Sequence, residues 1–419
     1  MKENTNRHLD DQAKIFSLSC HKKDTSIFRL TVKLKEKINE DILLKSTNKA
    51  LKKYKAYKVQ LKKGFFWYTL IPNNQEIIIH KGIDYKFNFI HGKENNNYLF
   101  KISYEDKTIN VDFFHLLTDG SSGRDFLNEI LSNYLITTNP DLKKVSVDNN
   151  LIVENSYIKN YKKTKEKAYQ PPQAFQLHGT QIEGEQAGLN QFIINIQELK
   201  EFAKSNNCSI TECLSSMITY SIYNTHYKQS KSNKPINICI PINLKKYFPS
   251  NTITNFVSHM MLSIKIKKDK EYTYEEITSL VKEEFQSKLT QERIATTMTS
   301  NGKSINNVFV NILPLPIKKF FVILGSFIVK RTFTMTISNL GTSSIPKEYE
   351  EYIERYSFIL PPDWLEKIRC AISSHKDNLI VSFASNIQET SFEKQFEQLL
   401  KNNKISYNID GNKIKLIEK

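Results

Sequence analysis

Strict alternation over residues 108–114 puts Ile109, Val111 and Phe113 on one face and Thr108, Asn110 and Asp112 on the other, which predicts a half-buried strand. Past Phe114 the period changes. Leu127, Ile130, Leu131 and Tyr134 recur at helical spacing, and Ser122 followed three residues later by Asp125 predicts the capped start of that helix. Between the two lies the loop Phe114-His115-Leu116-Leu117-Thr118-Asp119-Gly120. The same reading predicts a strand over 27–34 and an amphipathic helix over 38–54 with Ile42, Leu43, Ser46, Ala50 and Leu51 inward. An aromatic strand follows over 65–70 after Gly64, then a short strand at 77–80 and a hairpin of 98–104 with 108–114.

From residue 139 to about 188 the periodicity fades. Lys162, Lys163, Lys165 and Lys167 precede Pro171-Pro172 and three spaced glycines, which reads as a connector. Order returns with a strand at 191–196, helices at 197–204 and from Ser209 or Thr211 onward, a strand at 236–240, a strand opening at Asn255-Phe256, and a helix over 274–289. A strand at 334–337 ends in Ser338-Asn339-Leu340-Gly341. A hairpin over 368–385 turns around His375, which reads as solvated, and a helix over 392–401 closes the pattern. His259 alternates with apolar neighbours, so a structural place and a place beside a ligand passage both stay open. The expected class is α+β, with strands and helices mixed throughout. The expected division is a half over 1–160, a connector over 161–189 and a half over 190–419.

The most apolar stretch, 308–329, is interrupted by Pro314, Pro316, Lys318 and Lys319. What remains continuous is about half of a bilayer span. It predicts a buried or tunnel-lining helix ahead of one that docks on a membrane surface, so no membrane span is expected and peripheral contact is left open. Residues 1–14 are polar and predict no secretory leader.

With 419 residues the chain can bury a large core. Its net charge of +16 suits anionic ligands or a lysine-rich solvated surface, and no Lys/Arg block is long enough for a nucleic-acid arm. Five cysteines, Cys20, Cys208, Cys213, Cys239 and Cys370, lie apart without a C-x-x-C pair, which suits reduced thiols and a cytoplasmic setting. No H-E-x-x-H, third metal ligand for His115 and Asp119, or G-x-S-x-G elbow occurs. Gly302-Lys303-Ser304 lacks the first glycine of a phosphate loop. No metal is expected.

A histidine delivered to a loop by a strand can accept a proton near neutral pH. Asp119, four residues on in a tight loop, suits an architectural role, through an ion pair or through hydrogen bonds to loop amides. Gly120 then admits the turn into the helix. Gly64-Phe65-Phe66-Trp67-Tyr68 reads as core and hairpin packing, and Asn243, Lys245 and Asn255 as capping residues or ligand contacts at the domain junction.

His115-x-x-x-Asp119-Gly120 after a strand resembles the signature of the superfamily of chloramphenicol acetyltransferase and condensation domains. Phe28-Arg29-Leu30, Gly64-Phe65-Phe66-Trp67-Tyr68, Pro241-Ile242-Asn243-Leu244-Lys245 with Asn255-Phe256, and Ser338-Asn339-Leu340-Gly341 are most similar to its alcohol acetyltransferase branch. The resemblance implies two chloramphenicol-acetyltransferase-like halves in a V around a central tunnel. It also implies a free-standing acyltransferase in which His115 is the general base, acyl-CoA is a co-substrate with no bound cofactor, and the acceptor is a small alcohol or amine. An acyl carrier protein as donor, or a non-catalytic binding module, are the other readings. Ser338 and Asn339 become candidate oxyanion donors, with Asn243 and Asn255 as substrate contacts. Lys58 stands where the family's arginine would pair with Asp119, and Phe114 replaces the first histidine of the condensation-domain motif.

Overall fold

The structure is a computed structural model that describes residues 7–145, 151–161, 169–305 and 308–413. The lysine run at 162–167 lies outside the described residues. The first part of the chain runs α1 (Asp11–Ser19), β1 (Ile27–Leu34), α2 (Glu40–Lys53), β2 (Val59–Lys63), β3 (Tyr68–Pro72), β4 (Ile79–Lys81), β5 (Phe100–Glu105), β6 (Thr108–Phe114), α3 (Gly120–Thr138) and α4 (Ser156–Lys159). The second runs β7 (Gly188–Asn195), α5 (Ile196–Ser205), α6 (Ile210–Ile222), β8 (Ile236–Asn243), β9 (Val257–Ile264), α7 (Tyr274–Lys288), α8 (Gln291–Ile305), α9 (Val308–Ile312) and α10 (Leu315–Lys330). It finishes with β10 (Met335–Thr342), α11 (Lys347–Glu350), β11 (Ile353–Ile359), β12 (Ile368–His375), β13 (Asn378–Ser385), α12 (Ser391–Asn402) and β14 (Tyr407–Gly411).

Local chemistry sets the ends of these helices. Asn39 caps α2 by accepting from the Ile42 amide, with Glu40 and Asp41 in the first turn and lysines in the last. Ser209 and Glu212 form a reciprocal capping box on α6, as do Thr273 and Glu276 on α7.

One sheet has the order β11-β1-β6-β5-β4 and a second has β14-β7-β13-β12-β10-β8-β9. Each backs one of two large hydrophobic cores: α2 and α3 pack on the first, and α6, α7 and α12 belong to the second. The mixed α/β class holds. Strand β11, from the second half of the chain, pairs antiparallel with β1 in the first sheet, Arg29 opposite Ile359 and Leu30 opposite Phe358.

Three expectations need correction. The aromatic strand begins at Tyr68; Phe65 and Phe66 instead sit at the tip of the β2–β3 hairpin, and Phe65 is 70% exposed. His375 is buried at the end of β12, with Nδ1 3.0 Å from Ser343 Oγ. The apolar stretch forms α10 but is not buried: one side packs inward and the other faces solvent.

Candidate active site

Strand β6 delivers His115 because its inward residues Ile109, Val111 and Phe113 are locked in the first core. Its polar face is held too. Arg29 on β1, directly opposite Asp112, makes a two-pronged buried ion pair with it at 2.6 and 2.8 Å. The chain then turns, with the His115 amide donating to Ser26 O and the Leu117 amide to Phe114 O. The imidazole is half-buried. It stacks on Phe16 of α1 at 4.3 Å between centroids and meets the edge of Phe28 at 5.2 Å.

Across the site stands residue 255. Asn255 Oδ1 is 3.0 Å from His115 Nδ1, and its Nδ2 donates to Leu116 O. An amide oxygen only accepts, so this contact requires the proton on Nδ1 and leaves the Nε2 lone pair free. Burial lowers the His115 pKa below the ordinary histidine value, which favours the neutral ring, against the opposing pull of backbone hydrogen bonds at His115 and Thr118 and of Asp119 and Asn255.

Asp119 is the N-cap of α3, so the helix starts three residues before the expected Ser122. Its Oδ1 accepts from the Ser122 amide at 2.9 Å and from Ser121 Oγ at 2.8 Å. Its Oδ2 accepts from the Phe256 amide at 3.2 Å and faces Lys245 Nζ at 3.6 Å. The cation is therefore Lys245 from the second half and not Lys58, which is exposed at the end of a short turn. Burial by itself would raise the Asp119 carboxyl, but Lys245 and these donors hold it below the usual carboxylate range.

Asp10 repeats the arrangement. It caps α1 through the Ala13 amide at 2.8 Å and takes the Asn255 amide on its other oxygen at 3.3 Å. Burial pushes its pKa up to about 6. Two buried carboxylates, each capping a helix of the first half, thus grip successive amides of the segment entering β9. Thr118 Oγ1 and Tyr57 OH both donate to Ile253 O at 2.9 Å and complete the grip.

The other expected residues serve this frame or lie outside it. Asn243 accepts from the Lys245 amide at 3.0 Å, setting the turn that aims Lys245, whose Nζ also donates to Ser122 Oγ at 2.6 Å. That gives Asn243 a capping role. Asn339 is exposed and occupied by the Gly341 amide and Thr211. Ser338 is half-buried one residue earlier on β10. That strand meets α3 two residues on: a Cβ on Gly120 would lie 3.2 Å from Leu340 Cδ1, and Gly120 has no positive φ, so close approach and not turn geometry fits glycine there. His259 borders a separate cavity of about 430 Å³ with Ile242, Met261, Lys288 and Arg293. A cavity of about 500 Å³ lies beside the His115 loop, lined by Leu116, Thr254, Asp10, Arg7, Trp67 and Glu154.

Sequence reading missed Asp10, Phe16 and the Arg29–Asp112 pair. Asp10 three residues before Ala13, with Ile15, Phe16 and Leu18 following, was the available signal for α1 and its cap. Among the described residues no group of three His, Cys, Asp or Glu side chains is placed to hold a metal ion.

The profile of the alcohol acetyltransferase family matches residues 178–404, more than half of the chain, and the chain belongs to that family. It is an acyltransferase. The matched stretch includes Asn243, Lys245 and Asn255 but not the His115 loop. No curated protein matches the sequence. Among solved structures, polyketide synthase associated protein 5 from Mycobacterium tuberculosis is similar at 13% identity, with 95% of this chain and 98% of that one covered and a TM-score of 0.61. Fusarium sporotrichioides TRI101, solved with coenzyme A and T-2, gives 11%, 96%, 100% and 0.61. The trichothecene 15-O-acetyltransferase of the same organism gives 10%, 95%, 94% and 0.58. These likenesses establish the two-subdomain fold.

Proposed function

We propose that the chain transfers an acyl group from coenzyme A to an alcohol, with His115 as general base. The observation that carries this reading is the 3.0 Å contact between His115 Nδ1 and Asn255 Oδ1, which puts the proton on Nδ1 and leaves the Nε2 lone pair to accept one. Nε2 takes the hydroxyl proton as the alcohol oxygen attacks the thioester carbonyl. The tetrahedral oxyanion collapses, the carbon–sulfur bond breaks, and the imidazolium returns the proton to the leaving thiolate. No acyl-enzyme forms, since the imidazole acts on a proton and not on carbon. Ser338 is the proposed oxyanion donor, a contribution of about 3 kcal/mol when such a donor is well aimed.

The two halves are proposed to flank a passage with His115 midway. Coenzyme A as donor and a small alcohol as acceptor are supported by the family and by the ligands of TRI101. A carrier-protein thioester is the second donor, favoured by the likeness to a polyketide-synthase-associated protein and by the net charge of +16. Thiol release from acetyl-CoA in the presence of a panel of alcohols tests the reading. Release above blank that His115→Ala abolishes supports it; no release with any acceptor, by free or carrier-bound donor, returns the chain to a binding role.

A further inference from the structure

The outer side of α10 is apolar along its whole length. Ile317, Phe320, Phe321, Leu324 and Ile328 follow one another along it, close to helical spacing, and Phe320 and Ile328 are 64% and 60% exposed. The hairpin tip extends this surface. Phe65 O accepts from the Leu315 amide at 2.8 Å and Phe66 O from Lys318 Nζ at 2.9 Å, while that ammonium lies 3.6 Å above the Trp67 ring. The inner side is anchored: Leu315 packs on Leu18 with Ile15, Trp67 and Val322, and Lys330 is paired with Asp24 and Asp363. Helix and tip therefore form one fixed surface.

Its charge is one-sided. No Asp or Glu occurs between Glu292 and Glu348, nor between Asp41 and Glu76, the two stretches that build it. Lys62, Lys63 and Arg331 are exposed. An apolar stripe with aromatic side chains at one end, built from two stretches that carry cations and no carboxylate, matches the interfacial region of a bilayer with anionic headgroups. The helix spans about 24 Å of axis at 16 residues, too short to cross, and among the described residues no helix is long and apolar enough to do so. We propose that α10 and the β2–β3 tip seat the protein on an anionic phospholipid surface, lying in its plane. This does not depend on the acyl-transfer reading.

Flotation with vesicles of phosphatidylcholine, with and without phosphatidylglycerol, tests it on the full chain. The expected result is flotation with the anionic vesicles, weakened by salt. It should fall about tenfold or more in Phe320→Ser/Phe321→Ser/Leu324→Ser, and Lys62→Glu/Lys63→Glu/Arg331→Glu should lose the preference for phosphatidylglycerol. Circular dichroism and thiol release with a water-soluble alcohol should stay unchanged in both variants, since all of these side chains are exposed. Three outcomes would overturn the proposal: no flotation of the unaltered chain with either vesicle, equal flotation of the triple variant, or a vesicle-free dimer that the triple variant dissociates, which would give the face to a second copy.

Discussion

Asn255 and His115 are 140 positions apart in the chain and share a 3.0 Å contact, so the second half chooses the tautomer of the first half's histidine. Asn255→Ala should lower kcat by about 10–100-fold with little change in KM for the thioester, because the ring loses its aim and a contact that supports its protonated form. Asn255→Asp keeps an acceptor and adds a negative charge, which stabilises the imidazolium. Its acid limb in kcat/KM should move to higher pH. Equal profiles for Asn255→Asp and the unaltered protein would remove Asn255 from this role.

His115→Ala is expected to abolish turnover while leaving the melting transition close to that of the parent. The ring contributes stacking against Phe16 and an edge contact with Phe28, both at a half-buried position. A residual rate above a few per cent of the parent would mean that another group, or water, takes the acceptor's proton.

The pH dependence has a definite sign. His115 titrates below the ordinary histidine value because burial disfavours its charged form. The active neutral ring therefore persists at pH values where a solvated histidine is protonated, and the acid limb of kcat/KM should have its midpoint below about 6.5. A midpoint above that value would contradict the buried environment.

Asp119 is held below the usual carboxylate range, so its contribution to stability is present above the unfolded value and lost as pH falls through the folded one. Lys245→Met removes the cation and leaves a buried carboxylate supported by amides and Ser121. A loss of about 1–3 kcal/mol is expected in chemical denaturation at neutral pH, shrinking as the pH is lowered. Lys58→Met, changed at an exposed lysine, should fall within about 0.5 kcal/mol of the parent.

Two glycines of α3 separate backbone propensity from packing. A methyl at Gly120 meets the far end of Leu340 at 3.2 Å and the Phe358 ring at an ordinary 3.9 Å, whereas at Gly123 it meets the rings of Phe113 and Phe28 at 3.2 Å. Gly123→Ala should cost about 1–3 kcal/mol and displace the ring edge that touches His115. Gly120→Ala should be near neutral, since any helix gain offsets a small shift of Leu340. Thermal denaturation of the two variants side by side decides this.

What was legible in the sequence is what local pattern determines. The alternation over 108–114 marks β6 residue for residue, and the inward positions of α2 follow from its period. Asp119 as an architectural residue also followed from its distance to His115. The start of α3 did not, because Ser122 and Asp119 are both good caps and only the bond to the Ser122 amide decides between them. Lys245, the tautomer-setting contact of Asn255 and the passage of β11 into the first sheet depend on which distant segments meet. Hydrophobic period carries no such information. Phe65, Phe66 and α10 misled for another reason: apolar residues predict burial on average, and here they face outward.

The place of β11 has a consequence for how the chain is made. Strand β1 sits between β6, already synthesised with it, and a ribbon that emerges more than three hundred residues into translation. Until then β1 is an open border with unpaired amides and carbonyls, a template for any stray strand. The half bearing His115 should thus not mature as a free fragment. The strand beside the one that delivers His115 is sealed only when the rest of the polypeptide has arrived.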